Sequence, residues 1–577
     1  MKGKQKQDLR HHLEFLYGDE QAANLVERIS GLLQAYRQTA KTSRSVHLAR
    51  RFNEEDVILI AYGDIVQDPP KPDLQILRTF LDRHLERQIN SLHILPFFPY
   101  SSDDGFSVID YQAIDPKLGT WEDFQDLARS HKIMVDGVIN HISRESEWFK
   151  KFQDGDPDFQ EFFITIDDSW DLSHVSRPRT SPLLTEVETV NGPKEVWTTF
   201  STDQVDLNYA SPQVLLAVLD ILLFYLQKGA TIIRLDAIAY LWKESGTTCI
   251  HLPQTHVVVK IIRQVLDEAL PQVVIITETN VPHLENISYF GDVDPFTSET
   301  DEAHMVYQFS LAPLVLHALI SGSAHKLTEW AAGLEPTGIF FNFIASHDGI
   351  GVLPAKGILT DAELQTIIDQ VHRHGGLLSH RTNPDGSKTV YELNTTLYDA
   401  LNDHQAPELF DNDRYLASQV ILMSLAGVPG IYYHSFLGSR NALDNVQETK
   451  RARSINRKKF IADEITSLFL DPENIHAKIF HRMLQLLEIR KGQPTFDPYG
   501  GQEVLRLDKR VFALMRISLE GESNLLALVN VSNEAFDMVL DSEKCELVDL
   551  FNGEKFVIEK GKTCIHFEPY ASYWLKG

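Results

Sequence analysis

Thr231-Ile232-Ile233-Arg234-Leu235-Asp236-Ala237-Ile238-Ala239-Tyr240 reads as a buried strand that ends in charge. Residues two apart on a strand point to the same face. Arg234 and Asp236 therefore stand side by side at the end of an apolar run. An opposite charge nearby favours the charged form of an acid, so Arg234 is expected to keep Asp236 ionised. An ionised, positioned carboxylate suits a nucleophile in glycosyl transfer. It equally suits a structural ion pair at a strand end, and this stretch alone leaves both readings open.

Seven other apolar runs share this texture: 57–62, 92–98, 133–139, 273–277, 305–309, 339–345 and 428–433. Segments 73–88, 121–130, 212–228, 255–269, 311–319 and 413–425 fit helices between them. Strand candidates joined by helical crossovers predict an α/β fold, a parallel (β/α)8 (TIM) barrel. Runs that are apolar without alternation suit strands covered on both faces. Two gaps, about 141–206 and 349–401, are too long for simple connections. Both leave the C-terminal mouth of the barrel, so they are expected to be inserted lids. Ahead of the barrel, Leu13, Leu16, Ala22, Leu25, Ile29, Leu32 and Leu33 recur near helical spacing. After about Gln493, short β-rich runs broken by Gly, Asn and Asp predict a small antiparallel domain. The expected division is 1–50 helical extension, 51–141 barrel, 142–205 first lid, 206–348 barrel, 349–401 second lid, 402–493 barrel and 494–577 C-terminal β domain.

The totals narrow the function classes. The 577 residues carry 54 Lys and Arg against 81 Asp and Glu, a net charge of −27. With no basic stripe, nucleic acid and anionic membranes are poor partners. The three cysteines Cys249, Cys545 and Cys564 offer neither a disulfide framework nor a metal cluster. The polar start, Met-Lys-Gly-Lys-Gln-Lys-Gln-Asp, lacks the apolar core of a signal peptide. No run is long and apolar enough to span a bilayer. These features lead us to expect a cytoplasmic, soluble enzyme.

Four more charged clusters follow predicted strands: Asp136 to Asn140-His141, Thr277-Glu278-Thr279-Asn280, Ser346-His347-Asp348-Gly349 and Ser101-Ser102-Asp103-Asp104-Gly105-Phe106. Singly, each has a plain explanation. A His after a strand is more often a hydrogen-bonded core residue, a Glu at a strand end more often a solvated cap. Asp136 is expected to brace a loop or a neighbouring strand. Jointly, carboxylates from several strands would converge on one mouth with two histidines and an arginine. That constellation suits sugar chemistry, with a nucleophile, an acid/base and a carboxylate that grips hydroxyls. A metal site is the rival, but no HExxH or closely spaced ligand set occurs.

In their order these clusters, with Val205-Asp206-Leu207-Asn208, resemble the motifs of glycoside hydrolase family 13, the α-amylase family. The resemblance covers roughly residues 50–577. It implies Asp236 as nucleophile, Glu278 as acid/base and Asp348 as transition-state stabiliser. It also implies that Asp103, His141, Arg234 and His347 bind the donor glucosyl ring. The chain is more closely similar to the sucrose phosphorylase subfamily. The marks are His93-Ile-Leu-Pro-Phe-Phe-Pro, Asp103-Asp-Gly-Phe106, Gln204-Val-Asp-Leu-Asn208, His347-Asp-Gly-Ile-Gly351, Gly427-Val-Pro-Gly430 and Arg453-Ser-Ile-Asn-Arg457. By that resemblance Phe106, Phe200 and Tyr240 wall the donor pocket, Arg453 joins it, and Arg177-Pro-Arg179 contacts phosphate and acceptor.

The implied reaction is retaining phosphorolysis of an α-glucoside through a covalent glucosyl-enzyme, giving α-glucose 1-phosphate. No cofactor and no metal are implied; inorganic phosphate is a co-substrate. Some amylases hold a structural calcium near the motif of Asn140, but the phosphorylase relatives generally do not. Partners are expected to be the small glucoside and phosphate, in a monomer or homodimer. Phosphate competes with water, so cations are needed at the acceptor side: Arg179 first, then Arg381 and His380.

Where sucrose phosphorylases carry Asp-Leu-Tyr-Gln, this chain has Thr389-Val390-Tyr391-Glu392, after a longer loop, His380-Arg381-Thr382-Asn383-Pro384-Asp385-Gly386-Ser387-Lys388. That lid looks more like the relatives acting on sucrose 6-phosphate, glucosylglycerate or glucosylglycerol. Val390, Tyr391 and Glu392 are expected at the acceptor. Glu392 would repel an anionic acceptor and accept hydrogen bonds from a polyol, which favours glucosylglycerol. Glucosylglycerate, sucrose 6-phosphate and sucrose are the alternatives, followed by a plain hydrolase or transglucosidase. A catalytically dead sugar-binding protein is disfavoured by the three carboxylates.

Overall fold

Strands that are apolar on both faces need cover on both faces, and a barrel wrapped in helices supplies it. The computed structural model describes residues 3–39, 50–85, 87–294, 299–335, 338–382, 387–542 and 544–577. Eight strands close the barrel: β1 (Ile58–Ala61), β2 (Ser91–Ile94), β3 (Lys132–Gly137), β4 (Ala230–Leu235), β5 (Val274–Thr277), β6 (Met305–Tyr307), β7 (Ile339–Asn342) and β8 (Val428–Tyr432). Each pairs in parallel with its sequence neighbours, and β8 returns to β1.

The apolar runs extend beyond the strands at their C-terminal ends. The runs 305–309 and 339–345 leave the ladder after Tyr307 and Asn342. The residues beyond, Phe309, Phe343, Ile344 and Ala345, line the central cavity instead. Their hydrophobicity serves the cavity wall, which an apolar-run criterion cannot tell from a strand.

Helices α1 (Gly3–Tyr17) and α2 (Asp19–Thr39) form the N-terminal hairpin. They bury Leu9, Leu13, Ala22, Leu25, Val26, Ile29 and Leu33 against barrel helices α3 (Pro212–Lys228) and α4 (Pro253–Ala269). The Tyr17 hydroxyl donates to the Tyr209 carbonyl at 3.0 Å. Of the expected 1–50 extension, residues 1, 2 and 40–49 lie outside the described residues. Helix α3 starts with Pro212 in its first turn and ends at Gly229, whose φ of 113° suits a residue without a Cβ. Strand β4, which carries Arg234, begins at the next residue.

Both long connections build structure over the C-terminal mouth. In the first, His141–Ser143 pairs antiparallel with Gln204–Asp206 and closes its neck. A hairpin of Leu184–Val187 and Lys194–Trp197 lies between them. In the second, helix Asp361–Arg373 leads to a hairpin of Leu377–Thr382 and Lys388–Asn394, which pairs with Ile350–Gly351. Asn383, Pro384, Asp385 and Gly386 at its tip lie outside the described residues.

Beyond the barrel lie strands β9 (Gly501–Leu505), β10 (Val511–Ile517), β11 (Asn524–Asn530), β12 (Phe536–Asp541), β13 (Glu546–Asp549), β14 (Lys555–Val557), β15 (Lys562–Phe567) and β16 (Ser572–Lys576). They form a six-stranded sheet, β9-β10-β11-β16-β13-β14, and a β12–β15 pair. Among the described residues no helix is long and apolar enough to cross a membrane.

Arg516 of β10 pins this sheet to the barrel. Its buried guanidinium donates to the carbonyls of Ser424, Gly501 and Asp497 at 3.2, 3.2 and 3.0 Å. Removing it leaves buried acceptors unpaired, at about 1–3 kcal/mol each. Arg516→Met is therefore expected to lower the calorimetric unfolding midpoint by several degrees while kcat at 25 °C stays within twofold. An unchanged midpoint would remove Arg516 from the seam.

Candidate active site

The C-terminal ends of the barrel strands and both lids enclose a cavity of about 930 Å³. Its lining includes Asp103, Phe106, His141, Phe200, Asp236, Tyr240, Glu278, His347, Asp348, Arg179, Arg381, Tyr391, Glu392 and Arg453. Residues separated by up to hundreds of positions in sequence thus meet in one place.

Arg234 and Asp136 face each other across the β3–β4 ladder. One guanidinium nitrogen, Nη1, pairs with Asp136 Oδ1 and, at 2.8 Å, with Asp236 Oδ1. Its Nη2 lies 3.9 Å from Glu278 Oε2. Asp136 also binds His93 Nε2 at 2.8 Å. Burial pushes Asp136 up, but His93 and Arg234 outweigh it and hold the carboxyl at about 2. Asp136 is fully buried and braces Arg234 and β2, as a bracing role requires.

Asp236 departs from expectation in one respect. Burial pushes its carboxyl up, with Asp136 and Asp348 adding to the rise; Arg234 and His141 offset only part of it. Arg234 moderates the carboxyl without depressing it, because the cost of removing the charge from water is the larger effect. Oδ1 is held by Arg234, while no hydrogen bond from a described residue reaches Oδ2. The next residue, Ala237, has left-handed φ/ψ of 49° and 33°, a conformation that costs a non-glycine residue about 1–2 kcal/mol. That turn directs its N–H to Glu278 Oε2 at 3.1 Å and starts the short helix ending at Tyr240.

Glu278 is raised to about 7. Burial is the main cause, and the charges of Asp236 and Asp348 add to it against Arg234 and the Ala237 N–H. Asp348 goes the other way. Burial would raise it, but Arg453, His347, Arg457 and Arg234 hold it well below the carboxylate range. Arg453 Nη1 sits 2.6 Å from Asp348 Oδ1. Three carboxyls in one cavity are thereby given different proton affinities, the usual way to divide acid, base and fixed-anion roles.

Aromatic and imidazole rings wall the space beside them. Phe106 stacks on His347 with centroids 5.0 Å apart and planes 6° apart. Burial pushes the His347 imidazole well below its ordinary value, against the opposing charge of Asp348. Phe200 meets His141 at 5.3 Å and Tyr240 at 5.4 Å. The His141 Nε2 lies 2.9 Å from the Phe106 carbonyl. Asp103, with φ of 54°, is met by Gln204 Nε2 at 3.4 Å.

On the facing side, Arg179 lies over the rings of Tyr391 and Phe200, 5.4 and 6.0 Å from their centroids. Arg381, Arg177 and His174 also line the cavity. Among the described residues none of the three arginines has a carboxylate partner.

Of the six expected phosphate and acceptor residues, Arg179, Arg381, Tyr391 and Glu392 line the cavity, while His380 and Val390 do not. His380 is exposed and Val390 packs against the hydrophobic core; neither lines the cavity. Arg381, Tyr391 and Glu392 of the same hairpin do face the cavity. Glu392 does line the cavity, yet its carboxylate is already occupied. Oε1 accepts from Gly349 N–H at 3.0 Å and Arg453 Nη2 at 2.9 Å, and Oε2 from Arg453 Nε at 3.2 Å. Its carboxylate is thus bound by Arg453, a cation that it shares with Asp348.

The structure adds residues that the sequence did not single out. Lys243, fully buried at its head, lies 2.5 Å from Asp206 Oδ2 and 3.1 Å from Asn140 Oδ1, and donates to the Tyr240 carbonyl. It braces the floor under His141 and Tyr240. Arg457 pairs with Asp104, donates to the His347 carbonyl at 2.9 Å and lies 3.7 Å from Asp348. Arg457 ends the Arg453-Ser-Ile-Asn-Arg457 motif, the one sequence signal that points to it; nothing local marks Lys243. Among the described residues no group of His, Cys, Asp or Glu is arranged to hold a metal ion.

The family model for the α-amylase catalytic domain matches residues 73–348. A glucosylglycerate phosphorylase of Spirochaeta thermophila is 46% identical over 92% of this chain and 90% of its own. A glucosylglycerol phosphorylase of Marinobacter adhaerens is 29% identical over 76% and 88%. The crystal structure of a sucrose 6F-phosphate phosphorylase from Thermoanaerobacter thermosaccharolyticum superposes with a TM-score of 0.71 at 24% identity, covering 89% of this chain and 98% of that one.

The proton on Glu278 is directly measurable. Infrared difference spectra are expected to show a protonated carboxyl band that fades as pH rises through about 7 and is missing in Glu278→Gln. Persistence of the band in that variant would assign the proton elsewhere.

Proposed function

The chain belongs to the α-amylase family, glycoside hydrolase family 13, and we propose that it is a retaining phosphorylase of glucosylglycerate. It is an enzyme of the phosphorylase kind, acting on small glucosides. The observation that carries the finer reading is the acceptor wall. Among the described residues Arg179 and Arg381 face the cavity without carboxylate partners, and Glu392 is bound by Arg453. Such a wall favours an anion, whether phosphate or the carboxylate of glycerate. Glu392, bound by Arg453 and the Gly349 N–H, is not a free acceptor for the hydroxyls of a neutral polyol. The 46% identity to a glucosylglycerate phosphorylase, against 29% to a glucosylglycerol phosphorylase, supports the same choice.

The proposed cycle uses each carboxyl according to its surroundings. Asp236 Oδ2 attacks the anomeric carbon, and Glu278 gives its proton to the leaving glycerate oxygen. The β-glucosyl ester on Asp236 carries no negative charge. One of the charges that raises Glu278 is thereby removed, so its proton affinity falls just as it must act as base. Phosphate bound by Arg179 and Arg381 then attacks, Glu278 takes its proton, and α-glucose 1-phosphate leaves. Asp348, ionised throughout, stabilises the positive charge that develops on the sugar ring in both steps. Asp103, Phe106, His141, Phe200, Tyr240 and His347 hold the glucosyl ring, while Arg234, which is buried and does not line the cavity, positions Asp236 rather than touching the sugar as the resemblance implied.

The test runs the reaction backwards. With α-glucose 1-phosphate as donor, D-glycerate is expected to release phosphate at least about tenfold faster than glycerol, fructose or fructose 6-phosphate. Preference for glycerol would restore the polyol reading; equal slow release with and without acceptors would mean hydrolysis. Asp236→Asn is expected to lower kcat by about 10⁴-fold or more, and near-normal turnover would exclude it as nucleophile. Arg179→Ala should raise the KM for phosphate more than the KM for the glucoside, and equal effects on both would take Arg179 out of the phosphate site. Glucosyl-enzyme formation should slow as pH rises through about 7, where Glu278 loses its proton; a rate flat from pH 6 to 8 would contradict its role as acid.

A further inference from the structure

The second lid carries two functions on adjacent residues. Tyr391 faces the acceptor wall, and its hydroxyl accepts from Asn280 Nδ2 at 3.2 Å, two residues beyond Glu278. Glu392, the next residue, turns to the opposite side of the cavity and reaches the strand-end cluster that contains Asp348. It is 2% exposed and holds that cluster at two points. Through Gly349 N–H it fixes the backbone immediately after Asp348. Through both Nε and Nη2 of Arg453 it fixes the guanidinium whose remaining Nη1 lies 2.6 Å from Asp348 Oδ1.

The approach of lid and cluster is as close as the backbone allows. A Cβ at Gly349 would lie 2.4 Å from Glu392 Cγ and 2.7 Å from the Leu393 carbonyl oxygen. The pairing Gly351↔Glu392 and Ile350↔Leu393 sets this register. A fork–fork contact between guanidinium and carboxylate is directional as well as strong. With two of its nitrogens bound to Glu392, Arg453 has one orientation left, and that orientation presents Nη1 to Asp348.

We propose that Glu392 is a positioning residue for the reaction, acting on Asp348 through Arg453 and Gly349, and that it does not select the acceptor. This rests on Asp348 being the group that stabilises the transition state. Asp348 works through a fixed charge, and displacement of such a group by about 1 Å costs about 10²-fold in rate. The lid that receives phosphate or glycerate therefore also sets the catalytic power of the barrel's seventh strand end.

The test measures kcat, KM for phosphate and the partition among phosphate, D-glycerate and water in Glu392→Gln and Glu392→Ala. Rates are normalised to the fraction of enzyme that a 5-fluoroglucosyl fluoride traps covalently. Expected are a loss in kcat of about tenfold for Glu392→Gln, which keeps one acceptor oxygen, and about 10²-fold for Glu392→Ala. The KM for phosphate and the partition ratios are expected to stay within twofold. Gly349→Ala, which disturbs the same contact from the other side, is expected to lose kcat in the same pattern. A changed partition with kcat preserved would make Glu392 an acceptor contact and overturn the proposal. So would a kcat loss that vanishes on normalisation, which would reduce Glu392 to a fastener of the lid. Asp348→Asn separates the premise from the proposal. Full turnover in that variant would remove the role of Asp348 itself, whereas failure of the Glu392 variants alone would leave that role standing.

Discussion

The guanidinium of Arg234 is the interaction on which the site depends. It lies wholly inside the barrel, where an unpaired cation would be prohibitively costly. It is tolerated because Asp136 and Asp236 both reach one of its nitrogens and Glu278 lies 3.9 Å from the other. The dependence is mutual, since those carboxylates are buried only because the arginine is there. Asp136 passes the constraint on to His93 in β2. The mouth of the barrel is thus a lattice of charges that hold each other in place, and its geometry is set before any substrate arrives.

A second set of charges lies across the cavity, and there the two lids matter. Asp348 is held by Arg453 and flanked by Arg457, which are tied in turn to Glu392 of the second lid and Asp104 of the loop after β2. Both carboxyls are buried: the one beside more cations, Asp348, is nonetheless strongly acidic, while Glu278, raised first by burial and then by Asp236 and Asp348, stands at about 7. Proton affinity in this site follows from which elements meet there. The first lid brings Arg179 against Tyr391 of the second, so the acceptor wall needs both lids in position.

What could be read from the sequence, and what could not, follows from the range of the forces involved. A strand covered on both faces must be apolar, so Asp136, Arg234, Asp236, Glu278 and Asp348 stand out against their runs. The barrel and the strand-end carboxylates were legible for that reason. Facing within the second-lid hairpin was not, because its register shifts between Ser379 and His380; His380 and Val390 therefore point away from the cavity. Glu392 looked like a free acid because its partner Arg453 is 61 residues away. The direction in which Asp236 is shifted was also out of reach. Arg234 is visible in the sequence, but complete burial and the approach of Asp348 are not.

The configuration of the first-formed sugar phosphate tests the account most directly. Proton NMR of the reaction with glucosylglycerate and inorganic phosphate, recorded before anomers can equilibrate, distinguishes the outcomes. Double displacement through Asp236 predicts α-glucose 1-phosphate as the initial product. β-Glucose 1-phosphate would mean a single displacement and would contradict the covalent mechanism, and free glucose formed at the same rate without phosphate would contradict phosphorolysis.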